Sequence, residues 1–359
     1  MTTRRGFLAS ALAAAAIPRL SWADAGAPAY LGAAREADGA FALFGLSATG
    51  DDLFRIPLPD RGHAAAAHPD APEAVAFARR PGTFALVIDC ATGQVRHRLE
   101  APEGRHFYGH GAFIDGGETL CTTENDFGTG DGRIGLWSRS AGYRRIGEIA
   151  SHGTGPHDIK VLPGDVLVVA NGGIRTHPDK GREKLNLDTM RPSLVYLDAE
   201  GALLDKVELE RDLHKNSIRH LAVRPDGLVA FATQWQGAPS DGVPLLGLHR
   251  RGAAAKLAEA DLAEQIAMQG YAGSVAFAGD GQSVAITSPR GGRLHRFAPD
   301  GAFLGTVRRR DVCGLAPAPG GFLASDGLGA LVEVSDRLSP LASRAGRAWD
   351  NHLIRLDTA

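Results

Sequence analysis

One short frame recurs seven times along this chain, and no other feature constrains the fold as strongly. Its clearest copy is Tyr108-Gly109-His110-Gly111-Ala112-Phe113-Ile114-Asp115-Gly116-Gly117, where a histidine opens an apolar run that ends in a tight turn. The frame returns at Pro156-His157-Asp158-Ile159-Lys160-Val161-Leu162-Pro163-Gly164 and at Arg219-His220-Leu221-Ala222-Val223-Arg224-Pro225-Asp226-Gly227. Ser274 and Cys313 replace the histidine in two further copies, a degenerate copy starts at His63, and a truncated one, from His352, ends the chain.

Repeats spaced about 40 to 60 residues apart, each built of short strands, are the signature of a β-propeller with one blade per repeat. After His157 the strands expected are 165–170, 193–198 and 203–209, divided by Gly, Pro, Asp and Asn turns. The turn 197–203 (LDAEGAL) has a near copy at 297–303 (FAPDGAF), which supports the register. The last copy leaves room for one strand, and three strands (30–34, 41–47, 51–57) precede the first copy. Together they make one four-stranded blade. The expectation is therefore an all-β, seven-bladed propeller of the WD40/YVTN type, closed by one C-terminal strand on three N-terminal ones. Such closure removes the open edges of an unfinished sheet array.

In a propeller the first strand of each blade lines the axis, so equivalent positions form a ring. The ring here reads His63, His110, His157, His220, Ser274, Cys313, His352. Five imidazoles cannot all be charged at close range, and neutral imidazole is the commonest metal ligand. The five histidines are the expected ligands, with Cys313, Glu124 and His106 as further possible ones. An offset of fourteen residues gives a second ring of Glu124, Asn171, Gln234 and Ser288, with Arg79 and Asp326 near the same position in other blades. Asn171, Gln234, Ser274, Asp158 and Asp350 are expected to orient the imidazoles from behind. Histidine-rich ligation suits Cu, Zn, Fe or Ni, and a carboxylate such as Glu124 would tilt the set toward Fe. No catalytic residue is assigned.

The chain has 359 residues, 44% of them hydrophobic and 22% charged, with a formal net charge of −2. That balance fits a folded domain with ample core and points away from nucleic acid. Three cysteines (Cys90, Cys121, Cys313) at unrelated positions make no disulfide framework. The N-terminus reads as a targeting segment. Arg4-Arg5-Gly6-Phe7-Leu8 matches a twin-arginine leader, an apolar run extends to Ile17, and Ala23-Asp24-Ala25 supplies a cleavage pattern. Residues 1–25 are expected to be removed and 26–359 to form a single domain in the periplasm, as a monomer. No apolar run in the mature chain is long enough to span a membrane. Two insertions, residues 172–191 and 260–269, interrupt the blades; long loops in compact folds often carry function.

The leader, Tyr-Gly-His-Gly at 108–111, Gly-Pro-His-Asp at 155–158, Ser-Ile-Arg-His-Leu-Ala at 217–222 and Trp-Asp-Asn-His at 349–352 resemble domain-of-unknown-function family 1513, over nearly the whole mature chain. The resemblance implies an exported seven-bladed propeller encoded beside imelysin-type proteins and a di-haem oxidoreductase in iron-uptake clusters. It makes those proteins the expected partners and iron the favoured metal, with copper or zinc next. The ring also resembles the propeller hub of nitrous oxide reductase, which holds a copper cluster on imidazoles. Ser274 and Cys313 depart from that pattern and no cupredoxin domain follows, so that activity is not carried over. The main expectation is a metal-binding accessory protein of iron or other transition-metal acquisition. The alternatives are a metal-dependent oxidoreductase or lactonase-like hydrolase, and a metal-free interaction platform.

Overall fold

The computed structural model describes residues 20–79, 83–181 and 183–356. The twin-arginine motif and the apolar run to Ile17 lie outside them. Seven four-stranded antiparallel sheets are present, each ordered from its innermost to its outermost strand. We number the blades I to VII by their innermost strands: Gly62–Ala67, Arg105–Ile114, Pro156–Leu162, Asn216–Val223, Ser274–Phe277, Val312–Ala318 and Ala348–Arg355. Every predicted frame start falls on one of these strands.

Blade VII is assembled from both ends of the chain. The strand Ala348–Arg355 pairs antiparallel with Tyr30–Arg35, which continues into Phe41–Leu46 and Asp52–Leu58. Trp349 fastens this closure: its ring meets Phe44 edge-on at 5.6 Å, and the Arg347 guanidinium lies over Phe44 at 3.8 Å. Trp22 and Ala25 pack into the core between blades VII and I, and the Trp22 indole donates to the His68 carbonyl at 2.9 Å. Among the described residues no helix is long and apolar enough to cross a membrane.

Burial falls from the axis outward, and the sequence pattern follows it. Inner strands are apolar on both faces because each is sandwiched between neighbouring blades. Val168, Ala170, Leu194 and Tyr196 of blade III meet Ile218, Leu221, Val229 and Phe231 of blade IV in one such layer. Outermost strands such as Gln94–Leu99 and Leu203–Glu208 are mostly exposed and correspondingly polar. The turn at Asp198 needs a left-handed residue, and Gly201 supplies it with φ +89°. Its copy in blade V uses Gly301, also at φ +89°.

The innermost strands share a defect that positions the site. In six blades the pairing register slips where the ring residue sits: between Gly62 and Ala65, Phe107 and Gly111, Pro156 and Asp158, Ile218 and His220, Val312 and Leu315, and opposite Trp349 to Leu353. Bulges of this kind bend a strand and re-aim a side chain out of the regular alternation. Blade V, whose ring residue is Ser274, pairs without a slip.

Candidate metal centre

The bulges turn five imidazoles toward one another at the axis. Ring centroids of His63–His352 and His220–His352 are 4.7 Å apart, those of His157–His220 and His110–His352 4.8 Å, His63–His110 4.9 Å and His110–His157 5.1 Å. His63, His110, His220 and His352 are buried and His157 is partly exposed. Ligand atoms of His63, His110 and His352 lie within 4.8 Å of one another, and so do those of His110, His157 and His220.

Two carboxylates stand behind the ring. Asp158 Oδ1 is 3.0 Å from His110 Nδ1 and 3.1 Å from Lys160 Nζ, and its Oδ2 accepts the Leu221 amide at 2.9 Å. This one buried side chain therefore joins blades II, III and IV. Burial opposes its ionisation, but Lys160 and His110 outweigh that and hold its pKa far below the usual carboxylate range. Asp350 takes Arg61 Nε at 2.5 Å and Arg79 Nη1 at 2.8 Å, and lies 3.7 Å from His63 Nδ1. Burial opposes its charge too, yet His63 and the two arginines keep its pKa low. Arg79, placed by the sequence near the second ring, thus serves Asp350.

Four of the five imidazoles, His63, His157, His220 and His352, are held in the neutral form at ordinary pH. Burial pushes His63 down to about 4, although Asp350 pulls the other way. Burial lowers His157, His220 and His352 well below the ordinary histidine value, with neighbouring imidazoles adding to it and Arg219 acting on His157 and His220 and Lys160 on His352. Two imidazolium ions 5 Å apart would repel by about 3 kcal/mol at an effective dielectric near 20.

The tautomers follow from these partners. Asp158 accepts the Nδ1 proton of His110, so a neutral His110 presents a bare Nε2. That atom lies 3.2 Å from His63 Nε2, which must then donate. His63 Nδ1 is left deprotonated and facing Asp350 at a distance too long for a hydrogen bond. His63 Nδ1, His157 Nδ1, His220 Nδ1 and His352 Nε2 are all buried without a hydrogen-bond partner. Buried polar atoms usually have one, and a cluster of exceptions calls for a ligand. A transition ion fits: bound to His63 Nε2 it would move that proton to Nδ1, where Asp350 waits, and give the imidazoles of its triad, His110 and His352, a partner. Because Asp158 holds its Nδ1, His110 has a single nitrogen to offer. The two overlapping triads therefore describe one centre.

The other expected participants lie elsewhere. Glu124 is fully buried within blade II, bonded to Arg145 Nη1 and Thr122 Oγ1 at 2.7 Å each. The slip between Phe107 and Gly111 breaks the fourteen-residue rule, and Thr123, not Glu124, faces His110, donating to its carbonyl at 3.1 Å. Cys313 is on the ring strand, but its Sγ sits against the Trp349, Asp350 and Ser325 carbonyls at 3.4–3.5 Å, and burial pushes its thiol up to about 12. His106 bonds the Phe107 carbonyl and Asn125. Asn171 bridges Ser151 and Ser193 instead of orienting an imidazole. Gln234 donates to the Ala272 carbonyl, and Ser274 is buried opposite Thr287.

A cavity of about 260 Å³ opens over His63, His157 and His220. Its wall contains Arg79, Lys184, Arg219 and Arg290 with Tyr108 and Tyr271. These residues are scattered over four blades and the 172–191 insertion, so no single repeat position announces them. The sequence pointed to two of them: Arg79, near the second ring, and Arg219, next to His220.

No curated protein sequence matches this chain. Among solved structures it is similar to a chain of the mitotic checkpoint complex, at 12% identity and TM-score 0.58, with 79% of each chain covered. It is also similar to a chain of Kuenenia stuttgartiensis hydrazine synthase, at 13% identity and TM-score 0.58, covering 89% of this chain and 96% of that one. At such identities these likenesses speak for the propeller fold alone. A family model described as "Protein of unknown function (DUF1513)" matches residues 56–356, and the chain belongs to that family.

Proposed function

We propose that the protein binds one first-row transition ion on the imidazole hub, as an exported accessory protein of metal acquisition. The observation that carries this reading is the convergence of five imidazoles at the axis, with carboxylates behind two of them and four ring nitrogens left without a hydrogen-bond partner. His63, His110 and His352, or His110, His157 and His220, would hold the ion. The carboxylate argument for iron falls with Glu124. An imidazole set taken by itself favours copper or zinc, and iron rests on the family's neighbourhood. Elemental analysis of protein exported in its native host, with anomalous scattering at the axis, is the test. One equivalent of metal, lost in His110→Ala with His157→Ala, is expected. No metal at the axis, and calorimetric binding of zinc or copper unchanged in the double variant, would overturn the reading.

The cavity beside the hub supports a second reading, a metal-dependent enzyme. Turnover of small lactones or redox substrates that disappears on chelation and returns with metal would select it.

A further inference from the structure

The cavity over the hub has the wrong charge for a bare metal ion. Arg79, Lys184, Arg219 and Arg290 contribute to its wall, and among the described residues no carboxylate does. Arg79 is committed to Asp350, which stands behind it. Arg290 lies over the Tyr271 ring at 4.4 Å, exposed, with no carboxylate in ion-pair range among the described residues. Lys184 projects from the 172–191 insertion and reaches Gln236. A cleft lined by one sign of charge concentrates ions of the opposite sign. The floor is made of imidazoles with partnerless nitrogens, which suit a cation, while the walls suit an anion. A metal accompanied by an anionic ligand satisfies both.

Size narrows the ligand. At about 30 Å³ per water the cavity holds roughly nine waters' worth of volume, below the range typical of drug-sized ligands and well above a single small anion. Arginine forks match carboxylates in a bidentate manner, and Tyr271, which lines the cavity, carries a neutral hydroxyl donor, whereas the Tyr108 hydroxyl is engaged with Thr176 Oγ1 at 3.1 Å. Asn351 already donates to the Tyr271 hydroxyl at 3.2 Å, which orients that group.

We propose that this cavity binds a small polycarboxylate, which lies against the hub with its oxygens toward the ion and its remaining charge on the Arg219 and Arg290 side. The proposal builds on the metal-binding reading by naming the companion ligand of the same site, and its anion-binding half stands without the metal.

Calorimetry on the full mature chain tests it, with citrate and inorganic phosphate titrated into metal-free and zinc-loaded protein, wild type and Arg219→Gln/Arg290→Gln. Citrate should bind both forms, more tightly with zinc. Its affinity should fall about tenfold or more in the double variant, and the wild-type affinity should weaken with added salt. Zinc affinity measured without citrate should hold or rise in that variant, since two repelling charges are gone. Lys184→Gln, on an exposed loop residue, gives the same direction of change if the double variant misfolds. Binding of phosphate but not citrate, no binding of either, or citrate affinity unaffected by both sets of substitutions overturns the proposal. Absence of zinc binding alongside charge-dependent citrate binding overturns the metal reading and leaves the anion site standing.

Discussion

His110 Nδ1 and Asp158 Oδ1 lie 3.0 Å apart across the boundary between blades II and III, both buried. The carboxylate fixes the tautomer of the imidazole, and through the Leu221 amide it also fixes blade IV. Asp158→Asn keeps the shape but loses the charge that His110 and Lys160 face. We expect metal affinity to drop about 10- to 100-fold and stability to fall by about 3 kcal/mol. Calorimetry and urea unfolding of the same variant measure the two effects separately.

Glu124 offers the contrasting case. It is a buried ion-pair partner of Arg145 within blade II. Glu124→Gln should destabilise the protein by about 3 kcal/mol while leaving metal stoichiometry and affinity at wild-type values. A loss of metal binding beyond what unfolding explains would return Glu124 to the ligand set.

The metal-free protein should lose stability on mild acidification. His63 titrates at about 4 in the fold and at an ordinary 6.5 when unfolded, so between those values the unfolded chain binds more protons and stability falls with pH. That residue alone accounts for up to about 3 kcal/mol at 1.4 kcal/mol per unit. His157, His220 and His352 shift in the same direction. Asp158 and Asp350, with lowered pKa values, add a further loss only below about pH 4. Urea midpoints from pH 7 to pH 4 after chelation check this, and a flat profile above pH 5 would contradict the neutral hub.

Cys313 should be inert. Its thiol is buried and its pKa is raised to about 12. Iodoacetamide should leave it unmodified in the native protein and label it on denaturation, as read by mass spectrometry, and Cys313→Ser should bind metal as wild type does.

Closure of the ring rests on one strand. Trp349→Ala removes a 4%-exposed side chain that packs edge-on against Phe44 and under the Arg347 guanidinium, and should cost about 3 to 5 kcal/mol. Ending the chain before Ala348 would also remove His352 and expose the Tyr30–Arg35 edge. Size-exclusion chromatography should then show aggregation.

The repeat determined by itself the blade count, the order of strands and the closure, because strand period, turn residues and repeat spacing are local and additive along the chain. It also placed the five histidines on one ring, since equivalent positions in a closed propeller share one distance from the axis. Asp158 and Asp350 stand out in the sequence because each lies within two residues of a ring histidine, but the imidazoles they face, His110 and His63, belong to neighbouring blades. What only the tertiary structure decided was where each side chain points. The bulge at the ring position shifts the pairing by an amount that differs between blades, so a constant offset put Glu124 and Asn171 toward the hub when they face into the blades. The cationic cavity belongs wholly to the tertiary structure: Arg79, Lys184, Arg219 and Arg290 share no repeat position, and only closure of the ring brings them to one mouth.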